Sequence, residues 1–387
     1  MYLIALLFCP LAFTTGAFVF SGVLQPMAAD LGVSVGAVAT LQSAFAIACA
    51  LCGPPLVHLT RHWRPRTLLL AVLMLLVVLN AASALVADFR VLFTLRLLVG
   101  GIGALAFPLA TTLAASAVAP AARPKAISTV YAGIPLAMTL AIPAGSVLGN
   151  AFGWQASFWA AAAVCAVALA LVLAFVPDRD RLEAVAARAR ISTAVLAHLG
   201  ITLLVSASLF CAAGLIGPII RVTTGFDGPG IAAMQLLIGF SSLAGVRLGA
   251  GLAAGGGRYG LTLPFIILLG SLAMLLPPLA AGVTATVSLG LMILSVSLGP
   301  AAQALTGTLV QTRLAVLAGP GATLAFSLNG SMIYLGQGLG ILTGATAADL
   351  WGLVAAPLSG LTLVLPGLLL ALGIAWRLSP ARVPDPA

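Results

Sequence analysis

The sequence predicts an all-α membrane protein: twelve transmembrane helices in two pseudo-symmetric six-helix bundles. Three observations lead there. First, 62% of the 387 residues are hydrophobic and 6% are charged, and the mean hydropathy is +1.21. A water-soluble globule cannot hide that much apolar surface, because it must cover itself with polar groups. Second, the apolar runs are continuous and do not alternate, which excludes a transmembrane barrel and leaves helices, the other backbone form that satisfies its own hydrogen bonds in lipid. Third, Lys and Arg gather in alternate loops.

A hydrocarbon core about 30 Å thick needs roughly 20 apolar residues per helix. Twelve runs meet that length, at 3–27, 34–57, 67–87, 91–117, 126–149, 155–176, 193–220, 229–254, 261–281, 284–309, 321–347 and 354–376. Span one has no basic leader and runs past any cleavage site, so it reads as a retained helix and not as a signal peptide. With the amino terminus in the cytoplasm, the cytoplasmic loops and tail hold Arg61, Arg64, Arg66, Arg123, Lys125, Arg179, Arg181, Arg188, Arg190, Arg258, Arg313, Arg377 and Arg382. The outer loops hold only Arg90 and Arg221. The net charge of +9 is therefore positive-inside bias and not a nucleic-acid surface. Both termini are expected in the cytoplasm, with the chain in a bacterial inner membrane. Trp63, Trp154, Trp351 and Trp376 fall at predicted span ends, as an interfacial belt requires. All five cysteines lie inside apolar spans. Cys49 and Cys52 form a C-x-x-C without a second ligand pair, so packing is expected for them.

The longest polar stretch, Pro177 to Ser192, divides the chain. It predicts an N-terminal bundle (1–177), a cytoplasmic linker (178–192) and a C-terminal bundle (193–387). The halves read as a repeat: the turn at Arg61–Arg66 matches that at Gly255–Gly260, and Gly145/Gly149 match Gly340/Gly344, with offsets near 195 residues. Two such bundles are one transporter plan, with substrate bound between them at mid-membrane.

Five stretches carry a resemblance to a known family. Gly53-Pro54-Pro55-Leu56-Val57-His58-Leu59-Thr60-Arg61-His62-Trp63-Arg64-Pro65-Arg66 is a degenerate G-x-L-a-D-R-x-G-R-R turn. Arg96-Leu97-Leu98-Val99-Gly100 is similar to R-x-x-x-G. Ile142-Pro143-Ala144-Gly145-Ser146-Val147-Leu148-Gly149, followed by Phe152-Gly153-Trp154-Gln155-Ala156-Ser157-Phe158, resembles V-P-x-G-x-x-x-G…F-G-W-R-x-x-F. Gly257-Arg258-Tyr259-Gly260 repeats a relic of the first turn, and span eleven reads Leu328-Asn329-Gly330-Ser331 and Tyr334-Leu335-Gly336-Gln337-Gly338-Leu339-Gly340. In order and spacing the chain resembles the drug-and-sugar efflux branch of the major facilitator superfamily, the arabinose-efflux-permease type, over its whole length. The resemblance implies a proton-coupled exporter of a drug, sugar or metabolite, working by alternating access as an antiporter. Alternatives are uptake of a small solute, or a non-transporting assembly or lipid-handling factor on the same fold. The loop motif lacks its acid in both halves, which puts the cytoplasmic latch in doubt, and Gln155 replaces the Arg of G-W-R.

Candidate site residues follow from burial of polar groups in lipid, which needs a reason. Arg96 reads as a cavity-facing cation, against the alternative of snorkelling to outer headgroups. Thr14, Phe18, Ser21 and Gln25 make one stripe on span one at i, i+4, i+7 and i+11, facing a cavity or bonding neighbouring helices. Tyr131, Ser206, Phe210, Tyr334 and Gln337 complete the substrate-binding set. Gly53, Arg61, Arg64, Arg66, Gly100, Gly145, Gly149, Arg258, Gly336 and Gly340 are the expected gating residues, the glycines as close-packing ridges that let the halves rock. His198 reads as an interfacial, hydrogen-bonded side chain. All eight acids fall in predicted loops, span ends or the tail, so no mid-depth carboxylate offers itself as a proton carrier. No metalloprotease, P-loop or nucleophile–base pattern suggests an enzyme. No cofactor is expected. The partners are a small-molecule substrate and membrane lipid, with no nucleic acid, and the protein is expected to be a monomer.

Overall fold

In the computed structural model, residues 1–60, 62–119, 122–177, 192–254, 260–280, 282–318 and 322–377 are described. Arg61, Arg258 and, apart from Ser192, the predicted linker 178–192 lie outside them, as does the tail with Arg382 and Asp385. Among the described residues, ten helices are long and apolar enough to cross a membrane. Tyr2–Phe18, prolonged by Leu24–Leu31, and Ala322–Trp351 supply the remaining two of the twelve spans. The others are Val35–Leu59, Pro65–Leu85, Phe89–Ser116, Lys125–Phe152, Gln155–Phe175, Thr193–Ala213, Gly228–Ala253, Leu263–Ala280, Ala285–Ala318 and Ala355–Trp376. The predicted spans match within a few residues, except that span ten runs nine residues past its expected end at 309. Arg313, expected in a loop, therefore lies on that helix.

Several spans are broken, and the breaks fall at matching places in the two halves. Span one interrupts at residues 19–23 and resumes as Leu24–Leu31, which stops at Gly32 with φ +64°. Span seven interrupts at Gly214–Leu215 and resumes as Ile216–Thr224, which stops at Gly225 with φ +72°. A left-handed glycine ends a helix at no steric cost. Span five is the most irregular, with a π-helical turn over Ala137–Ala141 between Pro135 and Pro143. Each proline removes a backbone donor and crowds the preceding turn, which such a bulge relieves.

The packing repeats too. Span two lies against span four as span eight lies against span ten, span one against span six as seven against twelve, and span three against six as nine against twelve. The bundles meet chiefly along span two with span eleven and span five with span eight. One end of the molecule carries Arg64, Arg66, Arg123 and Lys125 and is called the basic end below. The other, the far end, carries Ser34, Gly153, Arg221 and Asp349. Trp63, Trp351 and Trp376 are exposed at helix ends. Trp154 is not part of that belt: it is buried, its indole N–H donates to Asp30 Oδ2 (2.8 Å), and it packs edge-on against Phe158.

Candidate functional site: the seam between the bundles

Near mid-membrane the seam is aromatic. Tyr334 of span eleven meets Phe13 of span one and Phe45 of span two, with ring centroids 6.0 and 6.4 Å away in edge-on geometry. Phe13 and Phe45 pack at 5.1 Å. Phe18 of span one meets Phe210 of span seven at 6.0 Å, again across the bundles. Toward the basic end, Tyr131 is 42% exposed. It stands edge-on to Phe107, and its hydroxyl reaches the Gln311 side chain of span ten.

Several buried polar atoms in these spans have no partner: Thr14 Oγ1, Gln42 Nε2, Gln303 Oε1 and Gln337 Oε1. Gln303 does donate through Nε2 to Ser206 Oγ (3.3 Å). A side-chain amide buried with an open hydrogen-bond position costs free energy unless something fills it. Such groups, interleaved with rings on three or four spans, can bind an amphipathic molecule that offers its own polar groups.

Beyond Phe18 and Phe210 the seam is bonded shut. Gln235 of span eight bridges the halves: its Nε2 donates to Ser21 Oγ (3.0 Å) and its Oε1 accepts from Ser146 Oγ (2.7 Å). Ser43 Oγ donates to the Gly338 carbonyl (2.7 Å). At the surface, Asp349 accepts from Ser34 and from Gly36 N–H. Above this seal lies a concavity of about 550 Å³ lined by Gln25, Pro26, Ala29, Gly149, Asn150, Gly153 and Arg221.

The expected site residues divide. Phe18, Ser21, Phe210, Tyr131 and Tyr334 make contacts across the seam, and Thr14, Ser206 and Gln337 are buried on spans one, seven and eleven. Gln25 does not continue the span-one stripe: the helix breaks at 19–23, the register is lost, and Gln25 lines the far-end concavity instead. Arg96 does not face a cavity. It is fully buried inside the N-terminal bundle, where Nη1 donates to the Gly16 carbonyl (3.0 Å) and Nη2 to Asn80 Oδ1 (3.2 Å) and Ser83 Oγ (2.7 Å). Its guanidinium lies 4.8 Å from the centroid of the Phe158 ring, a favourable cation–π distance. His198 Nδ1–H donates to the Ala194 carbonyl (2.8 Å).

The glycines divide as well. Gly100 packs on the Phe45 backbone, Gly145 on Val19, and Gly149 on Ser157 and Val23. Gly336 and Gly340 pack on the span-seven backbone at Leu203 and Ala207. All of these contacts are within one bundle, so the ridges hold each half together and do not lie between halves. Gly53 only touches Ala104. Arg66 Nη2 donates to the Leu173 carbonyl (3.2 Å), also within its own bundle. Among the described glycines, those that meet the opposite bundle include Gly36, Gly217, Gly228, Gly239 and Gly338, against Asp349, Ser21, Asn150, Thr139 and Ser43/Ile47, and Gly22 approaches Gln235. Apart from Gly338, which lies in the span-eleven stretch, neither these nor Gln42, Gln235, Gln303 and Gln311 stood out in the sequence. The signal available was each lone amide inside an apolar span, where a polar group needs a partner.

The Major Facilitator Superfamily model matches residues 6–323. The chain belongs to the Major Facilitator Superfamily. It is a multi-pass membrane protein, and its relatives include drug exporters. It is 32% identical over 257 residues to a chloramphenicol resistance protein of Streptomyces lividans, an alignment covering 64% of this chain and 65% of that protein. It is also 32% identical over 238 residues to a chloramphenicol efflux pump of Mycobacterium tuberculosis, over 59% of this chain and 56% of the pump. The chain thus spans a little under two thirds of the length of these relatives. Its fold is that of a bacterial homologue of the human lysosomal transporter Spinster, solved in an inward-facing, unoccupied conformation. That likeness has a TM-score of 0.74 at 16% identity and covers 97% of this chain and 95% of that one. Against the family pattern, Gln155 stands where Arg is usual, yet its Nε2 reaches Asp30 Oδ2 (3.4 Å) beside the Trp154 indole. The amide here makes a contact that a guanidinium could make.

Proposed function

We propose that this chain is a secondary active transporter that exports an uncharged, amphipathic small molecule by alternating access, with its basic end in the cytoplasm. The observation that supports this most is the seam. Rings from spans one, two, seven and eleven meet across the two bundles, and buried amides on spans two, ten and eleven carry open hydrogen-bond positions. The one cation expected there, Arg96, is turned into its own bundle. Arg96 therefore offers no charge to a cargo in the seam, and neutral cargo fits. The related chloramphenicol pumps agree in kind, since chloramphenicol is an uncharged nitroaromatic with two hydroxyls and an amide. Positive-inside bias supports the orientation. Proton coupling rests on the family resemblance alone: the described acids, Asp30, Asp88, Asp227 and Asp349, all sit at helix ends or loops.

The test is flux of radiolabelled chloramphenicol in vesicles holding the purified chain, under a proton gradient of either sign. Export driven by the gradient is expected. Losing one hydrogen bond of about 1 kcal/mol makes Gln337→Ala or Gln303→Ala raise KM about fivefold. No flux under either gradient, or amide variants indistinguishable from wild type, would sink the assignment.

A further inference from the structure

The far-end contact made by Asp349 is electrostatically odd on its own helix. It lies two residues from the end of Ala322–Trp351. A carboxylate there sits at the negative pole of its helix, where acids are disfavoured. Its bonds are all made elsewhere, at the start of span two in the other bundle. Oδ2 accepts from the Ser34 hydroxyl (2.6 Å) and Oδ1 from the Gly36 N–H (3.3 Å). Ser34 is the N-cap of span two, and its Oγ also accepts from the Ala37 N–H (2.9 Å). The positive pole of span two and one of its unbonded donors are thus met by an acid from span eleven. A Cβ at position 36 would lie 2.5 Å from the carboxyl atoms, so the glycine makes room for the contact.

The other described acids stay at home. Asp88 caps its own span four, Asp30 bonds Trp154 and Gln155, and Asp227 pairs with Arg221 (2.7 Å). Among the described acids, only Asp349 bonds across the two bundles. The contact also ends a row on the same helix pair, which runs from Tyr334 with Phe45, through Gly338 with Ser43, to Asp349 with Ser34. Rocking of the bundles that opens the far end must part the last pair, because that end moves furthest from the central site.

We propose that Asp349, seated on Ser34 and Gly36, is a gating residue that holds the far-end mouth shut and so sets the balance between the two access states. This rests on the alternating-access reading above. Breaking a charge-assisted contact of this kind shifts the ratio of far-end-open to far-end-closed molecules by about tenfold or more. The shift is toward the open form, since only the closed form contains the bond.

The test reads distance and needs no cargo, so it stands or falls apart from the chloramphenicol assay. Nitroxides are placed at Arg90→Cys and Val222→Cys, both exposed at the far end and one on each bundle. The half-buried Cys52 is changed to Ser, and the four buried cysteines are kept. Pulsed electron–electron spectroscopy on the purified chain should show Asp349→Ala moving population to longer distances by about tenfold, with Asp349→Asn moving less because it keeps an acceptor. A lower melting temperature with an unchanged distance distribution would mean a helix cap only, and would overturn the proposal. Should Asp349→Ala fail to fold, Ser34→Ala, which keeps the acid and removes its hydroxyl partner, decides: it must move population to the longer distance, and an unchanged distribution also overturns the proposal.

Discussion

Replacing Arg96 by methionine separates a structural cation from a substrate-binding one. Arg96 is fully buried, with three hydrogen bonds, a ring beneath it and no carboxylate partner in its shell. A buried charge costs free energy to desolvate, and an apolar side chain of similar volume often replaces it with little loss. Arg96→Met leaves only neutral groups behind. Asn80 Nδ2 keeps its bond to the Leu76 carbonyl, and the Ser83 hydroxyl keeps its bond to Leu79. The expected cost is about 0–2 kcal/mol. Asn80→Ala with Ser83→Ala does the opposite: it keeps the charge and strips two of its acceptors, at about 3–5 kcal/mol. The double variant should therefore melt well below the single one in a detergent thermal-unfolding assay. Chloramphenicol affinity of folded Arg96→Met, measured by titration, should stay within about twofold of wild type. A tenfold loss of affinity with the fold intact, or the reverse order of melting, would return Arg96 to the substrate pathway and refute the placement argued here.

Other outcomes follow from where the glycines and amides sit. Gly338→Val puts a side chain against Ile47 and the Ser43 carbonyl of the other bundle. It should populate the far-end-open form in the same distance measurement, with a smaller change in melting. Gly340→Val meets the Ala207 backbone of its own bundle, so it should lower the melting temperature by several degrees and leave the distances unchanged. Gln155→Arg brings a guanidinium to Asp30 at an exposed site, where such a pair is worth about 0–1 kcal/mol. Neutral to slightly raised stability is expected, and a marked loss would show that the amide has a role beyond this contact.

The substrate-binding set was legible to the extent that helix register held. Phe18 falls on the seam because it precedes the break in span one, Ser21 reaches it from within the break, and Gln25 leaves it because it follows the break. No hydropathy pattern marks residues 19–23 as the place where the chain turns. Arg96 misled for a related reason. A lone cation in an apolar span signals that a polar partner exists. Whether that partner is cargo or the Asn80/Ser83 pair on a neighbouring helix is a matter of rotation about the helix axis. Asn80 and Ser83, three residues apart on an otherwise apolar span, were the available hint. The glycine ridges pack closely against helices of their own bundle, and the identity of the partner helix was not in the sequence.

What the sequence determined by itself was the membrane-spanning helical architecture and its repeat. Lipid offers the backbone no hydrogen bonds, so each span must satisfy itself locally, and a local requirement leaves a local trace in composition. Tertiary structure alone decided which polar groups face the other bundle. Asp349 meets Ser34 and Gln235 meets Ser21 and Ser146 across long stretches of chain. Those contacts depend on helix breaks, rotations and docking angles, each fixed by the packing of whole bundles and by no single segment.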